Sequence, residues 1–200
     1  MSHDPLRDTD RAPAQPSFRM STAQLGMIAV LVSLGVLFTA SLVALAVTRS
    51  ANHVWRTPDM PPLPRGLFAS TALLLGAGVS LEWARRSVRA NRHDRLESAL
   101  WLALAFGIAF LAGQTLNWAT LRGFFGPGAR TLYAFTFYLL TGLHAAHVAG
   151  GLVPLGIAIG RARRRELSSS RHEGLSLCIQ YWHFLGVVWL VLLTALYVAA

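Results

Sequence analysis

The sequence predicts an all-α fold, a polytopic membrane helix bundle of five transmembrane helices. Three observations predict it. Hydrophobic residues make up 54% of the 200 residues, with a positive mean hydropathy of +0.45. They are gathered into blocks of about 17–26 residues, the length that crosses a hydrocarbon core about 30 Å thick at a helical rise of 1.5 Å per residue. The charged residues fall almost wholly between these blocks, and arginine is abundant in every second connection. Hydrocarbon offers no partner to a backbone amide, so segments of this kind pair their own N–H and C=O groups as helices.

The elements follow in order along the chain. Residues 1–20 are polar and rich in Pro, Asp and Arg, and end in Phe18-Arg19-Met20. They read as a disordered cytoplasmic tail. The tail is too long and too acidic for a cleaved signal peptide, so the first span is expected to stay in the mature protein. Residues 21–200 form one membrane domain, with spans over 24–47, 67–83, 99–118, 132–159 and 175–198. Pro58, Pro61, Pro62 and Pro64 stiffen the connection between the first two spans. Thirteen of the eighteen basic residues lie in the tail (Arg7, Arg11, Arg19), the 2–3 loop (Arg85, Arg86, Arg89, Arg92, Arg95) and the 4–5 loop (Arg161, Arg163, Arg164, Arg165, Arg171). The opposite side holds Arg49, Arg56, Arg65, Arg122 and Arg130. This bias puts the N-terminus in the cytoplasm and the C-terminus outside, as an odd number of spans requires. Trp55, Trp83, Trp101, Trp118 and Tyr197 lie near span ends, where interfacial aromatic anchors belong.

The net charge of +9 does not point to nucleic acid. Every basic residue is Arg and none is Lys, and the arginines flank apolar blocks as topology signals do. The single cysteine, Cys178, cannot form an internal disulfide, belongs to no haem-attachment or zinc pattern, and reads as a small packing residue. Small residues mark the packing faces, because membrane helices associate by close approach. Span 1 carries Gly26, Ser33 and Ala40; span 2 carries Ser70, Ala77 and Ser80 beside Gly76 and Gly78; span 4 carries Gly142, Gly150, Gly151, Gly156 and Gly160.

Polar side chains at membrane depth are costly and are weighed singly. They are Glu82, Gln114, Asn117, His144, His147 and His183. His144 and His147 are three residues apart and share a helix face. A haem held between spans 4 and 5 is conceivable, but no second spaced His pair, HExxH motif or di-iron box accompanies them. Hydrogen bonding between helices or contact with lipid headgroups is the plainer reading. A membrane protease finds no GxSxG motif around Ser80. Glu82, with Arg85 and Arg86 three and four residues on, reads as an interfacial ion pair. A transporter would show repeated, interrupted spans, and Pro154 in span 4 has no counterpart elsewhere.

Four stretches in order carry a family resemblance. Gly142-Leu143-His144-Ala145-Ala146-His147-Val148-Ala149-Gly150-Gly151 is similar to a G-x-H-x-x-H-V-x-x-G signature on a penultimate helix. Tyr181-Trp182-His183-Phe184-Leu185-Gly186-Val187-Val188-Trp189 is close to YWHFVDVVW on a last helix. Ser80-Leu81-Glu82-Trp83-Ala84-Arg85-Arg86-Ser87 resembles S-x-T-W-A-H-H-S, and Gln114 with Trp118 matches a Q-x-x-E-Y/W end. Over residues 25–198 the chain thus resembles subunit III of haem–copper oxygen reductases of the cytochrome c oxidase type, in its five-helix bacterial form. It departs from that pattern at Leu34, where a membrane glutamate is expected, at Asn117 for the glutamate of Q-x-x-E, and at Gly186 for an aspartate.

The resemblance implies a non-catalytic accessory subunit of a respiratory terminal oxidase that reduces O2 to water, in the inner (cytoplasmic) membrane. It implies packing on oxidase subunit I, with subunit II in the complex, and bound phospholipids. No cofactor is expected in this chain; haem and copper are expected in the partner subunits. His144, His147, His183, Arg161 and Arg164 are the candidate lipid-binding or structural polar residues, His147 and the Arg161–Arg165 cluster being assigned to anionic headgroups. Glu82, Trp83, Gln114, Gly142, Gly151, Tyr181, Trp182 and Trp189 are the family-motif positions. Quinol oxidases and nitric-oxide-reductase-associated homologues carry similar subunits, and a haem-binding membrane cytochrome is the remote alternative.

Overall fold

The computed structural model describes residues 21–52, 55, 63–125 and 131–199. The tail, Arg56, Arg130 and the prolines at 58, 61 and 62 lie outside them. Five helices follow one another: α1 Thr22–Ala51, α2 Gly66–Arg89, α3 His93–Phe125, α4 Leu132–Arg163 and α5 Glu173–Ala199. All five are long and apolar enough to cross a membrane. All five run beyond their apolar blocks, α4 at its C-terminal end only. The additional turns are polar and sit where a helix leaves hydrocarbon. Ser21 and Gln24 close a capping box on α1, Thr131 caps α4 through the Ala134 N–H, and Arg86, Arg89, Arg161 and Arg163 face the carbonyl ends of α2 and α4.

The buried positions show how the helices pack. On α2 they include Leu67, Ser70, Leu74, Ala77, Leu81, Ala84 and Val88; on α5, Leu175, Cys178, Trp182, Leu185, Trp189, Leu192, Leu196 and Ala199. The steps alternate between three and four residues. α3 and α4 show the same rhythm, from Leu96 through Ala103, Phe110 and Gln114 to Leu121, and from Ala134 through Thr141, His144 and Gly151 to Ala162. A repeat averaging 3.5 residues keeps one seam on the neighbouring helix in a left-handed bundle. α2, α3, α4 and α5 each contact the next, and α5 contacts α2, closing a ring of four.

α1 stands outside that ring and packs chiefly on α5. Only Phe38 and Leu45, seven residues apart, are buried on it. The expected small-residue face of span 1 is therefore corrected: Gly26, Ser33 and Ala40 point away from the rest of the chain. The span 2 stripe holds, with Ser70, Ala77 and Ser80 buried, Gly76 against the Phe106 ring and Gly78 beside His183. On α4 the expectation holds closely at Gly151, where an added Cβ would lie 2.9 Å from the Tyr181 ring, and loosely at Gly142 beside Trp118; Gly150, Gly156 and Gly160 face open space. Cys178 is buried in the seam as a packing residue. Pro154 lies on the exposed side of α4, and the helix runs through it.

The two ends differ in chemistry. At one, the α2–α3 turn and the α4–α5 loop are tied together by Asn91, whose side chain accepts from the Ser169 N–H (3.0 Å) and donates to the Ser169 hydroxyl (3.3 Å). Asn91 adopts φ 52°, a left-handed conformation that asparagine tolerates better than most residues. Arg163 reaches Glu97 at 3.6 Å, and the Ser21 hydroxyl bonds Glu173. The arginine-rich connections therefore share one end, as the charge pattern requires. At the other end, Trp55 donates to the Ala199 carbonyl (2.9 Å) and stacks edge-on against Tyr133. Trp83, Trp101 and Tyr197 expose their rings near helix ends.

Gly151→Ala is expected to destabilise the bundle by about 1–3 kcal/mol, because the methyl meets a ring held on both sides. Gly156→Ala, with open space around it, is expected to leave the melting temperature unchanged or raise it. Thermal unfolding of the two purified variants checks the contrast.

Candidate functional site

The polar residues singled out in the sequence fall into three places. The first is the bundle interior. His144 is fully buried and sits in an aromatic shell, its ring centroid 5.0 Å from Trp189, 5.7 Å from Phe110 and 6.1 Å from Phe38. Neither ring nitrogen has a hydrogen-bond partner among the described residues. His144 cannot touch a headgroup; of its two expected roles, the geometry leaves the structural one. Gln114 is also fully buried with its amide unpartnered among the described residues.

Around this interior, each interface of the four-helix ring carries a hydrogen bond between helices. Asn117 Nδ2 donates to the Ser70 hydroxyl at 3.2 Å, joining α3 to α2. Trp118 Nε1 donates to the Thr141 hydroxyl at 3.0 Å and Tyr138 donates to the Trp118 carbonyl at 3.1 Å, joining α3 to α4. Trp182 Nε1 donates to the Gly151 carbonyl at 3.2 Å and the Tyr181 hydroxyl to the His147 carbonyl at 2.9 Å, joining α5 to α4. Trp189 Nε1 donates to the Thr71 hydroxyl at 2.9 Å, joining α5 to α2. Thr71 and Thr141 each donate their own proton to the carbonyl four residues back, at 2.8 and 2.7 Å. Their oxygen lone pairs are thereby left for the indoles.

These bonds give the motif residues physical roles. Gly151 lets Tyr181 and Trp182 approach the α4 backbone, and a Cβ added at Gly142 would lie 4.0 Å from the Trp118 ring. Asn117, where a glutamate was expected, bridges two helices, and it does so across Gly66, whose missing side chain leaves room for the amide oxygen. Thr71, Thr141, Phe38, Phe110 and Tyr138 complete the network and were not singled out from the sequence. Their signal there is weak, since hydroxyls and aromatic rings are common in apolar spans.

The second place is the edge between α2 and α5. Glu82 accepts from Arg85 Nε at 3.0 Å and Nη2 at 2.5 Å, the ion pair expected from their spacing. His183 Nε2 lies 3.8 Å from the other carboxylate oxygen, a contact between helices that spacing alone does not reveal. All three side chains are partly exposed. Trp83, next to them, faces outward.

The third is the arginine-rich end. Arg161 and Arg164 are exposed there, as headgroup contacts require. His147 is not with them. It lies near the middle of α4, about 25 Å from Arg164 at 1.5 Å per residue, with Nδ1 donating to the Leu143 carbonyl at 2.7 Å and its ring 5.4 Å from Phe38. One headgroup cannot touch both. The three membrane histidines likewise have separate surroundings: the aromatic shell for His144, the Leu143 carbonyl for His147 and the Glu82 carboxylate for His183. Among the described residues no group of three or more His, Cys, Asp or Glu side chains comes together as metal ligands would.

The order of these motifs along the helices agrees with a family comparison in which the model described as cytochrome c oxidase subunit III matches residues 15–200. The chain belongs to the cytochrome c oxidase subunit III family. It is 29% identical over 194 residues to the cytochrome c oxidase subunit 3 of Thermostichus vulcanus, covering 94% of this chain and 91% of that protein. It is 31% identical over 179 residues to the subunits of the same name from Tragelaphus oryx and Aepyceros melampus, covering 86% of this chain and 67% of theirs. This subunit III is a multi-pass membrane protein and an accessory subunit of a haem–copper oxidase, an oxidoreductase complex with other subunits.

An unpartnered buried polar group costs about 1–3 kcal/mol. His144→Leu and Gln114→Met are therefore expected to hold or raise the melting temperature of the purified subunit. Trp189→Phe, which removes the Thr71 bond, is expected to lower stability by about 0.5–1.5 kcal/mol. Circular dichroism melts of the three variants check both directions.

Proposed function

We propose that this subunit III carries no redox centre of its own and serves the oxidase by packing on its catalytic subunit and holding phospholipid at its basic end. Haem and copper then reside in the partner subunits I and II. The observation that carries the reading is that His144, His147 and His183 converge on no common point: His144 and His147 share only the Phe38 ring, and His183 lies at the Glu82 carboxylate. A bis-histidine haem between helices needs facing axial imidazoles and a copper centre needs converging ones. Of the motif residues, Tyr181, Trp182 and Trp189 instead bond helix to helix.

The same reading sets the subunit in the inner (cytoplasmic) membrane, with the basic end cytoplasmic and the C-terminus outside. In support, ten described arginines lie in the α2–α3 and α4–α5 connections and the helix turns that flank them, against Arg49, Arg65 and Arg122 at the other end. Arginines at a cytoplasmic helix end attract anionic lipid by about 1 kcal/mol each. The exposed Arg161 and Arg164 are the lipid contacts in this reading.

Affinity purification through a tag on this chain is expected to bring down haem-containing oxidase subunits. The separated chain is expected to show no Soret band; a Soret band travelling with it would overturn the assignment. Arg161→Ala with Arg164→Ala is expected to lower the phospholipid retained per complex, and unchanged retention would remove lipid holding from these two residues.

A further inference from the structure

We propose that a cavity between the α2–α3 turn and the α4–α5 loop binds a phosphate-bearing anion through Arg92, Arg95 and Arg165. The cavity has a volume of about 400 Å³ and is lined by Asn91, Arg92, His93, Asp94, Arg95 and Arg165. Arg165 closes the Arg161–Arg165 cluster already assigned to headgroups, and the cavity joins it to Arg92 and Arg95, which no motif singled out. Its walls come from two connections far apart in sequence, tied together by the paired Asn91–Ser169 hydrogen bonds. The backbone at both edges is left-handed, φ 52° at Asn91 and 54° at Arg165. That conformation is uncommon for a side chain as large as arginine and turns Arg165 onto the cavity wall.

The charge of the site is what points to an anion. Arg85, Arg163 and Arg164 each engage a glutamate, but Arg92, Arg95 and Arg165 form no ion pair among the described residues. Three guanidinium groups against the single Asp94 carboxylate leave a net positive cavity. The first turn of α3 opens on the cavity, adding the positive end of a 33-residue helix. Guanidinium groups match the planar spread of phosphate oxygens, and the space admits a phosphate with an organic substituent. The cavity sits at the ends of the spans, where a helix leaves hydrocarbon. A phosphodiester headgroup and a free phosphate compound share this chemistry.

The site does not depend on how the oxidase assignment fares. The test uses the purified intact complex with two probes, inorganic phosphate in solution and nanodiscs of phosphatidylcholine with or without phosphatidylglycerol. Arg92→Gln with Arg165→Gln is expected to weaken binding of phosphate, or retention of phosphatidylglycerol, by about tenfold or more. The probe that loses affinity identifies the source. Arg92→Lys with Arg165→Lys, which keeps the charge, is expected to retain part of it. If the double Gln variant does not fold, the single Arg92→Gln variant is measured across a salt series, where a flattened salt dependence supports the site. Wild-type protein that binds neither probe, or a folded Gln variant that binds both unchanged, overturns the proposal. The oxidase assignment stands or falls separately, on the subunits that co-purify.

Discussion

Lipid is as apolar as a leucine side chain, so burying leucines against one another draws membrane helices together only weakly. Association must come from close steric fit and from hydrogen bonds that have no solvent to compete with them. In this subunit III both act at the same places. The seams of α2 to α5 advance by 3.5 residues, which keeps them in register along the length of the ring. Each of the four interfaces is then pinned by a side-chain hydrogen bond between helices. The donors are mostly indoles, which have one N–H and no acceptor to satisfy in return. Such a donor can sit in hydrocarbon once a single acceptor is found. The acceptors are threonines whose protons are already given to their own helix, or a backbone carbonyl bared beside a glycine.

The fifth helix obeys a different rule. α1 has no heptad seam and no indole bond into the ring. Its hold on the bundle runs through Phe38, which lies against the imidazoles of His144 and His147, through Leu45, and through contacts at its two ends, Ser21 with Glu173 and Arg49 with the Val198 carbonyl. Most of the other apolar residues of α1, among them Val32, Val36, Val43 and Val47, face outward. A helix that is apolar all round meets lipid or another membrane helix, and this is the part of the chain where the surroundings of the subunit, not its own core, set the composition.

Legibility from sequence followed the physics of each signal. Span number, the ordering of the arginine-rich connections and the Glu82–Arg85 pair depend on local spacing, and all appear in the fold as read. The packing direction of glycines depends on which neighbour lies opposite. Gly151 packs and Gly156 does not, although both are glycines on one helix. The same holds for the histidines. His144 and His147 share a face by their spacing, yet one is sealed among aromatic rings and the other bonds a carbonyl of its own helix. Glu82 with His183, and Asn91 with Ser169, link residues about a hundred positions apart or nearly so, and no periodicity reports them.

By itself, the sequence determined that this protein lives in a bilayer as five helices, and its motifs determined the family, because length, hydropathy and residue order are properties of the chain alone. Only the tertiary structure decided that four helices close a ring while the first lies outside it. It also decided that His147 is far from the arginines, and that three unpaired arginines share one cavity. Those outcomes rest on distances between segments remote in sequence. Such distances are set when indoles and glycines select which faces meet, a choice that many sequences with the same hydropathy could make differently.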